Sequence, residues 1–151
     1  MRILIVEDNA ADRELLLELL QDHFMKQAKF RMATNIRDAF EYLERRHSHP
    51  SIVPGIPPTE APYFDCVILD LQLPDSMGRE TFRSIHRRFP DLPIVIVSHN
   101  KDQQLALDLI REGAQDFILK DYTNTTDIFR RVLFAVERQR NIPISSMPPK
   151  L

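Results

Sequence analysis

Two stretches decide the fold: Ile3-Leu4-Ile5-Val6-Glu7-Asp8 near the amino end, and Cys66-Val67-Ile68-Leu69-Asp70 further along. Each is a short, mostly aliphatic run that stops at a carboxylate. Runs this short and this uniformly apolar predict strands buried on both faces, as in a parallel sheet covered by helices. Ile94-Val95-Ile96-Val97 repeats the pattern and stops at Ser98, and Phe117-Ile118-Leu119 stops at Lys120. A weaker strand fits residues 30–33.

Between the runs the apolar period becomes helical. Leu15, Leu16, Leu19, Leu20 and Phe24 form a stripe over residues 10–25, with Asn9 placed to cap its start. Ile36, Ala39, Phe40 and Leu43 share a face over 36–46. Phe82, Ile85 and Phe89 do so over 79–89, where Pro90 stops the helix. Leu105, Ala106, Leu109 and Ile110 mark 102–112, closed by Gly113. Ile128, Phe129, Val132, Leu133 and Val136 mark 125–139. Strand and helix thus alternate five times, which predicts one α/β domain with a parallel sheet and helices on both faces.

Two segments stand outside this alternation. Residues 47–63 hold five of the eleven prolines (Pro50, Pro54, Pro57, Pro58, Pro62), a density that excludes regular structure and predicts a long surface loop. Residues 142–151 have three more prolines and no periodicity, and are expected to be a linker or disordered tail after a domain spanning 1–141.

Composition sets the outer bounds. The chain has 151 residues, enough for one domain with a real core. Lys and Arg number 20 against 22 Asp and Glu, so a generically basic nucleic-acid binder is excluded, while a local basic patch stays open. The single cysteine, Cys66, rules out an internal disulfide and a cysteine-rich zinc site. No apolar run reaches the ~20 residues that cross a bilayer, and the amino end is not a signal peptide. No membrane insertion is expected, and the cytoplasm is the default location.

Ligands of open parallel sheets bind beyond the carboxyl ends of the strands. Here those ends carry Glu7, Asp8, Asp70, Ser98 and Lys120. If the first strand neighbours the third, three carboxylates converge, and their repulsion calls for a proton or a cation. Oxygen-only ligands suit a hard ion such as Mg²⁺. An ammonium and a hydroxyl facing the same space suit a phosphoryl group, and an aspartate there can act as a nucleophile toward phosphorus.

These residues, in this order, resemble the receiver domain of two-component response regulators. The match rests on Glu7-Asp8, on Asp70 within Asp70-Leu71-Gln72-Leu73-Pro74-Asp75-Ser76-Met77-Gly78, and on Ser98 and Lys120. Asp70 to Ser98 is 28 residues and Ser98 to Lys120 is 22, close to the family's spacing. Asp8 to Asp70 is 62, and the proline-rich loop accounts for the excess. The resemblance covers roughly residues 1–140 and implies a flavodoxin-like (βα)5 doubly wound sheet with strand order 2-1-3-4-5.

By that resemblance, Asp70 accepts a phosphoryl group from a histidine kinase or a histidine phosphotransfer protein. Asp8, Asp70 and the backbone carbonyl of Gln72 would hold Mg²⁺ directly, and Glu7 through water. Ser98 and Lys120 would contact the phosphoryl oxygens. Ser98 and Phe117 would form the switch, remodelling the face of the fourth helix, fifth strand and fifth helix toward a downstream protein or a second copy of the chain. No direct nucleic-acid contact is implied. Gln72, His99 and Asn100 are expected modulators.

The sequence departs from the family in carrying His99 where a small residue is usual, Asp121 where proline is usual after the lysine, and Glu7 for the first Asp. Three other readings stay open. One is a degenerate receiver acting as a phosphorylation-independent scaffold. Another is a Mg²⁺-dependent aspartyl-phosphate phosphatase, which would want an acid where Gln72 stands. The third is a nucleotide-binding module, for which Glu7-Asp8-Asn9 is a poor phosphate loop. Ser98 could also simply cap the fourth helix. No external substrate turnover is expected, so the chain is not read as an enzyme.

Overall fold

The computed structural model describes residues 1–24, 27–44, 64–121 and 125–140. The proline-rich segment 47–63 and the tail 142–151 lie outside the described residues. The elements run β1 (Arg2–Val6), α1 (Ala10–Phe24), β2 (Lys29–Ala33), α2 (Ile36–Glu44), β3 (Cys66–Leu69), β4 (Gln72–Leu73), β5 (Ser76–Met77), α3 (Arg79–Arg88), β6 (Ile94–Ser98), α4 (Gln103–Glu112), β7 (Asp116–Leu119) and α5 (Thr125–Arg140). The main sheet is parallel, in the order β2-β1-β3-β6-β7. This is the flavodoxin-like arrangement expected, with its five strands placed second, first, third, fourth and fifth. The antiparallel pair β4–β5 was not anticipated. It is a two-residue ladder, Gln72 opposite Met77 and Leu73 opposite Ser76, folded over the turn at Pro74-Asp75.

Strand alternation builds two cores. Leu4, Val6, Val67, Leu69, Ile94 and Ile96 point to one face and pack with Ala39, Phe82, Ile85, Leu105 and Leu109 of α2, α3 and α4. Ile3, Ile5, Cys66, Ile68, Val95 and Val97 point to the other, against Leu16 and Leu20 of α1 and Ile128, Val132, Ala135 and Val136 of α5. The central strands are buried on both faces, which is why they read as unbroken apolar runs and not as alternating ones. Each Ile, Leu or Val buried this way stabilises the fold by roughly 1.5–3 kcal/mol relative to exposure.

The helix ends follow local chemistry. Asn9 Oδ1 accepts from Asp12 N at 3.0 Å, the N-cap bond anticipated for α1. The start of α2 is capped twice. Asn35 Oδ1 accepts from Asp38 N, and the Asp75 carboxylate, from the β4–β5 turn, accepts from Ile36 N and Arg37 N at 2.9 and 3.1 Å. The cap of α4 is Asp102, which accepts from Gln104 N and Leu105 N. The reading of Ser98 as that cap is therefore corrected, because four residues separate Ser98 from the first helical turn. Gly113 closes α4 at φ 121°, a conformation that L side chains rarely adopt.

Candidate functional site

Strand register places the site. Val6 pairs with Leu69, and Leu69 with Ile96, so β1 and β3 end level and β6 runs on beyond them to Ser98. The backbone continues this alignment beyond the strands: Asp70 N donates to Val6 O at 3.0 Å, and Lys120 N donates to Ser98 O at 2.9 Å. The chain reverses its winding between β1 and β3, which opens a crevice at their carboxyl ends.

Glu7, Asp8 and Asp70 meet in that crevice. One carboxylate oxygen from each lies within 4.8 Å of the others. Glu7 and Asp70 are buried, and Asp8 is exposed at the rim. Asp70 is fixed through both oxygens. Its Oδ1 accepts from Gln72 N at 3.1 Å and its Oδ2 from Lys120 Nζ at 3.0 Å. Lys120 Nζ is 2.5 Å from Glu7 Oε2, but the contact is an ion pair without hydrogen-bond alignment, and that buried oxygen has no other donor. Glu7 Oε1 accepts from Asn9 N.

Burial raises the Glu7 carboxyl to about 7, with the charge of Asp70 adding to the rise and Lys120 opposing it. Burial works against the Lys120 ammonium as well, yet its close contact with Glu7 and its bonds to Asp70 and Asp12 outweigh that and hold its pKa above the ordinary range. Lys120 is therefore a fixed buried cation among carboxylates.

Ser98 is buried at the end of β6, and its Oγ accepts from Asn100 N at 3.1 Å. That bond uses the oxygen and leaves the hydroxyl proton to be donated. Phe117 is not in the crevice. It is half-buried on β7, packed against the core shared by α2, α3 and α4, and its carbonyl accepts from Arg131 of α5. Gln72 is exposed beside Asp70, and His99 is exposed beyond Ser98.

One participant escaped the sequence reading. Asp12, in the first turn of α1, accepts from Lys120 Nζ at 3.0 Å through Oδ2, and the same oxygen lies 3.2 Å from His99 Nε2. Partial burial works against its ionisation, but the bonds to Lys120 and His99 win and keep its carboxyl below the usual range. In sequence it is an ordinary acidic residue at a helix start. Its one signal was its position, one helical turn after Asp8.

Residues 3–132 match the family model of the response regulator receiver domain. The chain belongs to that family. Among its curated relatives is the regulatory protein LuxO of Vibrio cholerae, 38% identical over 84 residues, which cover 56% of this chain and 15% of that protein. The chain thus spans a small part of the LuxO regulators it matches. A receiver domain protein of Methanospirillum hungatei superposes with a TM-score of 0.70 at 19% identity, over 92% of this chain and 95% of the other. NtrX of Brucella abortus does so at 0.69 and 27% identity, over 92% of this chain and 28% of NtrX. Receiver domains are signalling modules that pair with histidine kinases and effector domains, and they bind Mg²⁺ at an acidic pocket. This chain carries an acidic cluster of Glu7, Asp8 and Asp70 at the carboxyl edge of its sheet.

Proposed function

We propose that this receiver domain is a phosphorylation-controlled switch whose phosphoacceptor is Asp70. The observation that carries the reading is the packing of Asp70 against Glu7 and Asp8 with the buried Lys120 ammonium 3.0 Å from its carboxylate. Like charges are not gathered this way without a cation or a reaction to use them.

In the transfer, an Asp70 oxygen attacks the phosphorus of a phosphohistidine on a histidine kinase or phosphotransfer protein. The new P–O bond forms as the P–N bond breaks, and the imidazole leaves with the electron pair. Lys120 and the Ser98 hydroxyl meet the phosphoryl oxygens, and the Gln72 amide steadies Asp70. The residues fit Mg²⁺: three carboxylates offer oxygens within 4.8 Å, and Glu7 Oε2 is buried with no aligned donor. Asp8, Asp70 and the Gln72 carbonyl would hold the ion, with Glu7 behind a water. When bound, Mg²⁺ supplies charge neutralisation at the phosphoryl group.

The output face is α4–β7–α5. Leu107 and Ile110 of α4, Leu119 of β7 and Phe134 of α5 are large apolar side chains left 40–50% exposed. A downstream protein or a second copy of the chain binds there once Ser98 has moved toward the phosphate and Phe117 has turned. No helix among the described residues is long and apolar enough to cross a membrane, and we place the protein in the cytoplasm.

The test is incubation with acetyl phosphate and Mg²⁺, followed by intact mass. One phosphoryl group adds to the parent protein and none to D70N. Equal labelling of D70N would overturn the assignment of the acceptor.

A further inference from the structure

Lys120 carries three N–H donors, and three different carboxylates stand against them: Glu7 at 2.5 Å, Asp70 at 3.0 Å and Asp12 at 3.0 Å. The ammonium is enclosed, with its side chain 2% exposed, so no water fills in for a partner it gives up. A phosphoryl oxygen that is to meet Lys120 must take the place of one of these carboxylates. Glu7 and Asp70 belong to the acidic pocket itself, and Asp12 does not. Asp12 comes from a different element, α1, and its carboxylate is 19% exposed at the mouth of the crevice. His99 waits on the outer side of the same Oδ2, at 3.2 Å.

We infer that Asp12 is a positioning residue that latches Lys120 in the unphosphorylated state, and that His99 draws the latch outward. The inference rests on the reading of Asp70 as phosphoacceptor. In the transfer from acetyl phosphate, an Asp70 oxygen forms the new P–O bond while the donor's acyl P–O bond breaks, and acetate departs with the electron pair. Lys120 makes and breaks no covalent bond. It exchanges the Asp12 carboxylate for a phosphoryl oxygen, and Asp12 turns to His99. Asp12 opposes the reaction twice: it occupies the donor that the phosphoryl group needs, and its own negative charge stands beside an incoming anion.

An acidic residue in a first helical turn also favours the helix dipole, and Asp12 does that too. A purely helical role would change melting temperature and leave the phosphorylation rate alone. The latch changes the phosphorylation rate, whatever happens to the melting temperature.

The experiment compares the parent with D12N, D12E, H99A and D12N/H99A in Mg²⁺ and acetyl phosphate, following the labelled fraction by intact mass, with beryllofluoride affinity as a second readout. D12N should be labelled about three- to tenfold faster, the size of one charge-assisted contact exchanged for another, and should bind beryllofluoride more tightly by a similar factor. D12E, which returns the carboxylate, should restore most of the slow rate. H99A should be slower than the parent, and that effect should vanish in the D12N background because His99 acts only through Asp12. Should D12N fail to fold, D12S carries the same comparison. A folded D12N labelled at the parent rate or below overturns the latch. Absence of labelling in the parent itself overturns the phosphoacceptor reading instead.

Discussion

Glu7 ties the acidic pocket to the stability of the whole domain, and the effect has a defined sign. Its carboxyl stands at about 7 in the fold against an ordinary 4.5, mainly because burial disfavours the charged form. The folded state therefore holds a proton that the unfolded chain has released. Stability from this group is complete below pH 4.5 and is lost as pH rises through about 7. A gap of this size corresponds to something on the order of 3 kcal/mol, a large share of a typical domain's stability. The groups pulled the other way, Asp12 among them, titrate below their ordinary values and act at lower pH.

The perturbation is Glu7→Gln, which keeps shape and removes titration. Urea unfolding in EDTA, followed by far-UV circular dichroism because the chain has no tryptophan, should show the parent losing stability between pH 4.5 and 7. The E7Q curve should be flatter by most of that amount. Mg²⁺ favours the deprotonated pocket, so it should stabilise the parent progressively as pH rises through 7, and Asp8→Ala should remove that gain. A pH slope for E7Q equal to that of the parent would refute the assignment of this pH dependence to Glu7.

Other expectations follow from single contacts. A Cβ added at Gly113 would lie 2.7 Å from His86 Nε2 while the backbone holds φ 121°, and His86 is stacked on Phe82 at 5.0 Å, so Gly113→Ala should cost about 2 kcal/mol and lower the melting temperature by roughly 5 °C. An unchanged melting temperature would mean that the turn relaxes freely. Replacing residues 49–61 by a short Gly/Ser linker should leave acetyl phosphate labelling intact, because the segment joins the amino end of β3 and Asp70 follows its carboxyl end; lost labelling in a folded variant would contradict this. Beryllofluoride should alter hydrogen exchange in α4, β7 and α5, and Phe117→Ala should weaken partner binding; changes confined to the loops after β1, β3 and β7 would remove Phe117 from the switch.

What the chain itself determined were the features written in local order. Ile3–Val6, Cys66–Leu69 and Ile94–Val97 are apolar without interruption because both faces of a central parallel strand are buried, and that pattern survives in one dimension. The residue after each run was equally legible, since a charge or hydroxyl at a strand end interrupts the apolar pattern at a single position. The caps at Asn9 and Gly113 were legible for the same reason, being decided within one helical turn.

Other features exist only in three dimensions. Asp102, not Ser98, caps α4, because the loop after β6 uses four residues before the helix begins. Asp75 caps α2 across 38–39 residues of sequence, and the β4–β5 pair that presents it is too short to leave a periodic signal. Asp12 and Lys120 are 108 residues apart. Helical geometry puts Asp12 one turn beyond Asp8, on the side of α1 that faces the sheet's carboxyl edge, and parallel register brings Lys120 to the same edge from β7. A side chain's sign and reach are written in the sequence. Which buried charge it meets depends on how the strands are ordered, because a Coulomb contact weakens with distance in space and is indifferent to distance along the chain.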